Sequence, residues 1–468
     1  VSPPASLLPE WSLVSMIEAS SENEGTCFVA ANRYKHGDMK PYLLKTIDFG
    51  KTWQRIDKGL PNTAYCRVVR QDALYPNLLY AGTEKGIFIS LDKGNTWQSL
   101  QLNLPLTPIH DLQIHAEEKD LVIATHGRSF WILDNLTPLY ELAADYAAIQ
   151  KSDFYLYTPR PAYRLNGGGG GVSNTEGENP PNAVQIYYHL KMPSNKELKM
   201  QFCSEKGDTI ATYSSQKDRK GKAVEETKDF YTDKDKTAYG VLTNKSGQNV
   251  CLWDMRYDDA TAIAEGEMLL WSGSIRGGKA APGNYVAKLI VGDSLVAQRN
   301  FSIRKNPTLA VSDADYAAQR ELSKKVIEKL SETHQTINNL RQIRKQINTY
   351  TATVEDTSQL ASLKKTTKPL LERLDKIESA LIQHKAKAFQ DLLNHPVRLN
   401  NQLASINSAI NMADSRPTAQ MYAAFDDISQ AIDVQIAAFK KIIDTDIPAL
   451  NRQIQDFSVP TIRLKKAK

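Results

Sequence analysis

His126-Gly127-Arg128 places an imidazole and a guanidinium two residues apart. An imidazole can move a proton near neutral pH, and a guanidinium can grip a carboxylate or phosphate with two parallel hydrogen bonds. At a strand end the same pair can instead brace one repeat against its neighbour, and that plainer role is the reading preferred here. His126 and Arg128 therefore stand as weak catalytic candidates. Glycoside hydrolysis needs two opposed carboxylates, and no isolated acidic pair stands in a recognisable loop. An arginine triad with a tyrosine nucleophile is not identifiable either. The eight histidines show no His-Glu-x-x-His spacing. Asp233-x-Asp235 and Asp313-x-Asp315 lack the glycine and terminal glutamate of a calcium loop, so no metal site and no cofactor is expected. Five glycines, Gly167 to Gly171, would cradle a phosphate only at a helix start. Without Gly-Lys-Ser/Thr after them they read as a flexible surface loop.

The elements that must position these residues follow from the repeats. Thr46-Ile47-Asp48-Phe49-Gly50-Lys51-Thr52-Trp53 and Ser90-Leu91-Asp92-Lys93-Gly94-Asn95-Thr96-Trp97 are near-copies one blade-length apart. Both read Ser/Thr-x-Asp-x-Gly-x-Thr-Trp, the Asp-box pattern. The carboxylates of Asp48 and Asp92 suit turn N–H groups, Gly50 and Gly94 supply a positive φ, and Trp53 and Trp97 bury a large area between sheets. The two aspartates are thus structural. Strand-like runs at Thr26–Ala31, Leu78–Thr83 and Leu121–Thr125 recur in phase, predicting about three four-stranded blades over 1–137. Three blades leave open sheet edges, so the remainder of the propeller is expected from an upstream segment or a second chain.

Ala124-Thr125-His126-Gly127-Arg128-Ser129-Phe130-Trp131-Ile132-Leu133-Asp134, taken with the Asp-boxes, resembles the last blade of a large bacterial family of Asp-box (BNR-repeat), sortilin-like propeller proteins, commonly labelled glycosyl hydrolases. The resemblance continues through Trp253-Asp254-Met255-Arg256 and Ala281-Pro282-Gly283-Asn284-Tyr285 into the helical end. It implies a C-terminal half of an exported protein (periplasmic, cell-surface or secreted) whose signal peptide is not in this chain. It also implies that aspartates of a xyloglucanase-type cleft would stand upstream of Val1.

Beyond the blades, 138–182 reads as a helix from Leu136 to Ile149, with Leu139, Leu142, Ala143 and Tyr146 on one face, then a Gly-rich linker. Period-two runs over 183–305 predict about seven strands and an immunoglobulin-like β-sandwich with Trp253 in its core. There Asp254 and Arg256 read as loop braces. Cys203 and Cys251 fall in two of its strands, where a disulfide and two buried thiols are both open. From Ser312 the period changes to that of helices. Stripes at Val326, Leu330, Thr333, Ile337, Leu340 and Ile347, at Leu360 to Leu381, at Leu399 to Ile410 and at Tyr422 to Ile443 predict an antiparallel helical bundle over 306–455, ahead of a basic tail at 456–468.

Composition bounds the rest. Hydrophobic residues at 41% and charged ones at 24% are ordinary for a globular chain. No apolar run reaches the length of a membrane helix. The net charge of +5 comes from residues 307 onward, where 23 basic side chains face 18 acidic ones. With no aromatic-basic stripe, nucleic acid is not expected as a partner. The expectation is a multidomain recognition platform for a glycan or protein ligand, not catalytic alone. Its rivals are a glycoside hydrolase cleft shared with upstream blades, and a sortilin-like scaffold in a cell-envelope assembly.

Overall fold

The computed structural model describes residues 1–165, 177, 179–217, 240–265 and 268–457. Gly167 to Gly171, Asp233-x-Asp235 and Arg463 to Lys468 lie outside them. β1 (Leu13–Ala19), β2 (Cys27–Arg33), β3 (Asp38–Thr46) and β4 (Gln54–Arg55) form an antiparallel meander in chain order. β5 (Cys66–Gln71), β6 (Leu79–Thr83), β7 (Gly86–Ser90) and β8 (Gln98–Ser99) repeat it. β9 (Ile109–His115), β10 (Asp120–Thr125) and β11 (Phe130–Leu133) form a third, three-stranded sheet.

Side-chain alternation explains why these sheets stack. On β6, Leu79 and Ala81 join Phe28, Ala30 and Leu43 of the first sheet in one core. Leu78 and Tyr80, just before and within the same strand, point the other way and meet Ile109, Leu112, Leu121 and Ile123 of the third. The middle sheet is thus buried on both faces. The first sheet's outer face (Val29, Ala31, Tyr42, Leu44) is covered by Leu7 and Leu8. Phe130 and Ile132 on β11 stay exposed.

Helix α1 (Thr137–Lys151) closes the third sheet from below. The expected face is displaced: Leu136 and Tyr140 are the fully buried residues, Leu139 and Ala143 pack at the rim, and Tyr146 is exposed. The displacement follows from Tyr140 stacking on Tyr75 at 4.1 Å and from a break in helical geometry at Asp145.

Among the described residues eight strands follow: β12 (Phe154–Leu156), β13 (Ala162–Tyr163), β14 (Val184–Leu190), β15 (Leu198–Ser204), β16 (Thr209–Ser214), β17 (Gly247–Trp253), β18 (Gly283–Val291) and β19 (Ser294–Arg304). They make a three-stranded sheet, β12-β14-β17, and a five-stranded one, β13-β19-β18-β15-β16, around one core. β12 and β13 come from the stretch whose sequence reads as linker; too short for a period-two signal, they add to the edges of the two sheets. Trp253 is fully buried, stacked on Phe202 at 4.5 Å with Tyr285 and Phe301 edge-on. Cys203 and Cys251 are buried free thiols, and Cys27 and Cys66 are also unbridged.

The helices are α2 (Asp313–Thr351), α3 (Thr357–Leu381), α4 (Leu399–Ile410), α5 (Ala419–Lys441) and α6 (Ile447–Asp456). Asp315 serves the start of α2: its backbone N–H donates to Ser312 Oγ while its carboxylate accepts the Ser312 N–H. The stripe residues Val326, Leu330, Thr333, Ile337, Leu340 and Ile347 are all buried, as are Leu363, Thr367, Leu370, Leu374, Ile377 and Leu381 on α3. The last stripe is thinner than its spacing predicts: Ile432 and Phe439 are buried but Tyr422 is exposed. After α5 the chain passes through a π-helical turn, Ile442–Asp446, just before Pro448, which cannot donate to the helical ladder.

Two polar devices tie the bundle to the sandwich. Between β17 and β18, Ala260, Ile263, Leu270 and Ile275 pack into the bundle core, and Asn401 bonds both the N–H and the carbonyl of Trp271. The second is Arg164, 2% exposed, at the end of β13. It pairs with Asp414 at 2.8 Å, donates to Gln319 Oε1 at 2.5 Å and to the Ala280 carbonyl at 3.1 Å, and lies over the Tyr316 ring.

Candidate functional site

The hairpin register fixes which residues can meet. In the first sheet Cys27 pairs with Thr46 and Arg33 with Asp38, so the Tyr34–His36 turn and the Asp48 hairpin stand at opposite ends. The same holds in the second sheet, where Thr83 pairs with Gly86 and Leu79 with Ser90. Asp48 and Asp92 are therefore at the far end of their sheets from the turns that carry Tyr34 and Glu84.

Their environment is nearly identical in the two copies. Asp48 Oδ1 accepts from the Thr52 N–H at 2.8 Å and from Thr46 Oγ1 at 2.9 Å, and Oδ2 accepts from Thr52 Oγ1 at 2.6 Å. Asp92 repeats this with Thr96 and Ser90 at 2.8, 2.8 and 2.7 Å. Hydrogen bonds from Thr52 hold the Asp48 carboxyl below its ordinary range. Asp92 is held low as well, its partial burial being outweighed by the bonds from Thr96. Gly50 and Gly94 have φ of 80° and 89°, and the preceding Phe49 and Lys93 are left-handed too. Trp97 is 5% exposed and donates to the Ile56 carbonyl, whereas Trp53 is only half-buried and donates to the Val1 carbonyl. The difference is the neighbour: Trp97 lies in the core between two sheets, and Trp53 packs at the edge of the first sheet's outer cluster, which Leu7 and Leu8 also border.

His126 and Arg128 occupy the tight turn from β10 to β11, where Gly127 and Ser129 take positive φ. The turn is held by its own backbone: Thr125 Oγ1 donates to the Ser129 carbonyl, the Arg128 N–H to Thr125 Oγ1, and Trp131 Nε1 to the Arg128 carbonyl. The two side chains are both exposed, and the structure does not bring them into one cluster. His126 stacks on His110 with ring centroids 4.7 Å apart.

His110 belongs to a row that sequence reasoning missed. In the second sheet, Arg67 donates to Glu84 Oε2 at 2.9 and 3.1 Å and to Tyr65 Oη at 2.8 Å. Its guanidinium lies over the rings of Tyr65 and Tyr34, which stack at 4.8 Å. Tyr34, from the first sheet, the Tyr65–Arg67–Glu84 group from the second, and His110 with His126 from the third stand at the strand ends and connections at one end of the three sheets. Burial, with the Glu84 hydrogen bond next, pushes the Tyr65 hydroxyl up to about 12. Desolvation, then the charges of Arg67 and His126, lower His110 from its ordinary value. The row offers the half-buried Tyr34 ring on top of a buried Tyr65, a guanidinium already braced by a carboxylate, and two exposed imidazoles. Its one carboxylate, Glu84, is committed to Arg67, so the row supplies no opposed acid pair. The signal in sequence was faint: each residue flanks a strand or turn and only the register aligns them. Elsewhere, Asp254 accepts from Tyr213, from Arg276 at 2.7 Å and from the Arg256 N–H. Among the described residues no group of His, Cys, Asp or Glu has metal-binding geometry, and no helix is long and apolar enough to cross a membrane.

No family model and no curated protein matches the chain. Among solved structures, the chain is similar to a GH74 xyloglucanase from Xanthomonas campestris, at 11% identity over 43% of this chain and 28% of that one, with a TM-score of 0.21. YCF48 bound to a D1 peptide matches at 13% identity over 44% of this chain and 55% of that one, TM-score 0.19. An ancestral GH74 enzyme matches at 10% over 59% and 41%, TM-score 0.22. The chain spans less than two thirds of each of these proteins, and the site is read from its own geometry.

Proposed function

We propose that residues 1–137 are blades of an Asp-box β-propeller and that the chain, with its immunoglobulin-like sandwich and helical bundle, forms the C-terminal part of an exported recognition platform. The supporting observation is the row from Tyr34 through Arg67 to His126, laid across three stacked meander sheets. The half-buried Tyr34 ring, backed by the buried Tyr65, the exposed His110–His126 pair and a braced guanidinium form a surface for binding a glycan or a peptide, because flat rings stand there beside fixed donors. His126 contributes a stacked ring to that surface and Arg128 a charge at its edge, neither acting as a proton-transfer group. Asp48 and Asp92 keep the opposite hairpins closed. The exposed Phe130 and Ile132, and the exposed Leu13 and Ile17 on β1 with Trp11 just before it, are the faces that further blades, from an upstream segment or a second chain, would cover.

The alternative is a glycoside hydrolase, and Glu84 is the observation that favours it: one carboxylate is in place, and a cleft would need its opposite number from those further blades. Native mass spectrometry of the protein isolated from its source, followed by assays on the species found, separates the two. The platform reading expects glycan- or peptide-array signals that Tyr34→Ala removes, whatever other signals remain, with no polysaccharide cleavage. Cleavage by the isolated species that Glu84→Gln or His126→Ala removes, with folding intact, overturns it.

A further inference from the structure

A large groove lies away from this row, in the bundle. It has a volume of about 1100 Å³ and runs along the second half of α2, between residues 264–265 and the end of α6. The composition of α2 changes where the groove begins. From Asp313 to Glu332 the helix carries nine charged side chains; from Thr333 to Thr351 it carries three, none of them acidic, and six amides. An exposed helix face ordinarily bears charges of both signs. Here Gln335, Asn339, Gln342, Gln346 and Thr349 repeat at helical spacing along the groove and are all exposed.

The three cations are already committed. Arg341 bonds Glu378 at 2.7 Å and also the Glu265 carbonyl. Arg344 pairs with Glu378 and with Asp375, and Lys345 with Glu265 at 2.9 Å. What the groove offers a ligand is thus neutral: amides and threonine hydroxyls that both donate and accept, beside apolar patches of Tyr350 and Ile454.

We propose that this groove is a second binding site, for an uncharged oligosaccharide. Sugar hydroxyls donate and accept at one atom, as an amide pair does across two, so a row of amides matches a row of hydroxyls without burying charge. The C–H face of a pyranose ring suits the Tyr350 and Ile454 patches. An anionic glycan would find its cationic partners neutralised. A peptide would lack the spaced apolar pockets that select alternate side chains. The site is independent of the propeller row and stands or falls separately from it.

Isothermal titration of the full chain with cellohexaose, maltohexaose and fully N-acetylated chitohexaose tests it. Saturable binding of at least one is expected, unchanged within about twofold between about 0.05 and 0.5 M salt, because no charge is read. Gln342→Ala with Gln346→Ala, both exposed and helix-compatible, should weaken it at least about tenfold. Gln420→Ala, on another exposed helix face, and Tyr34→Ala should leave it intact. No binding of any of the three up to about 10 mM overturns the proposal. So does binding that survives the double substitution combined with Tyr34→Ala, which removes any contribution of the propeller row, that is confined to a sulfated glycan, or that is shown instead by a neutral Gly-Ser peptide.

Discussion

Removing the carboxylate of Asp414 tests whether the sandwich and the bundle unfold as one unit. Arg164 is 2% exposed and its strongest partner is Asp414, so Asp414→Ala leaves a buried guanidinium without its counter-charge. Breaking a buried pair from one side costs about 3–5 kcal/mol. Gln319 Oε1 and the Ala280 carbonyl still accept from Arg164, and the Tyr316 ring still lies against it. The expected cost is therefore near the lower bound, about 3 kcal/mol. For a unit of this size that is a fall in Tm of about 6–12 °C. Asp414→Asn keeps the shape and one acceptor and should cost about half as much. The double variant Arg164→Met with Asp414→Leu removes both charges and should recover most of the loss. Urea unfolding is followed by ellipticity, which reports the helices, and by tryptophan fluorescence, to which the buried Trp253 contributes from the sandwich. Both transitions should shift together, since Arg164 belongs to one core and Asp414 to the other. A cost under about 1 kcal/mol, a helical transition that moves alone, or a double variant as unstable as Asp414→Ala refutes the coupling.

Two further perturbations read other parts of the fold. Trp97→Ala should cost about 3–5 kcal/mol, and Trp53→Ala clearly less, because the first side chain fills a core between two sheets and the second a half-open face; equal losses in denaturant unfolding would contradict that assignment. His334 is buried with Nδ1 2.6 Å from the Thr261 carbonyl, so Nδ1 carries a hydrogen. Burial, only partly offset by the Thr261 hydrogen bond, holds its folded pKa below the ordinary value. The unfolded chain therefore binds the proton more readily, and stability should be full above about pH 6.5 and fall as pH drops towards the folded pKa. His334→Gln should flatten that slope in melts between pH 7 and pH 5 (about neutral to mildly acidic); an unchanged slope assigns it to other groups.

Periodicity made some of this legible. The continuous apolar runs of β2 and β6, which are buried on both faces, the alternation along β10, and the stripe from Leu363 to Leu381 on α3 report burial directly, since a strand repeats every second residue and a helix about every 3.6. The Asp48 and Asp92 hairpins could be read because all their polar partners lie within four residues. Arg164, β12, β13 and the row from Tyr34 to His126 left no comparable trace. Arg164 finds Asp414 some 250 positions away. β12 and β13 are too short to show a period. Tyr34, Tyr65, Glu84 and His110 each resemble ordinary turn-flanking residues until the register of three sheets sets them side by side.

Trp53 and Trp97 show why local identity is not environmental identity. Their hairpins agree in every hydrogen bond of the aspartate, to within 0.1 Å, so the local sequence determines the turn in both. What the indole meets is decided by the next sheet, and that is a property of position in the stack. The middle sheet has a neighbour on each face, while the first has Leu7 and Leu8 on one of them. A second chain or upstream segment that docks on the first sheet would need to displace or extend that thin cover, and its arrival should be read most directly at Trp53. Its fluorescence should shift to the blue and lose quencher access in the completed assembly, while Trp97, already enclosed, should not change. A Trp53 signal indifferent to the isolated partner, beside exposed Phe130 and Ile132 that become protected, would place the joint on the third sheet instead.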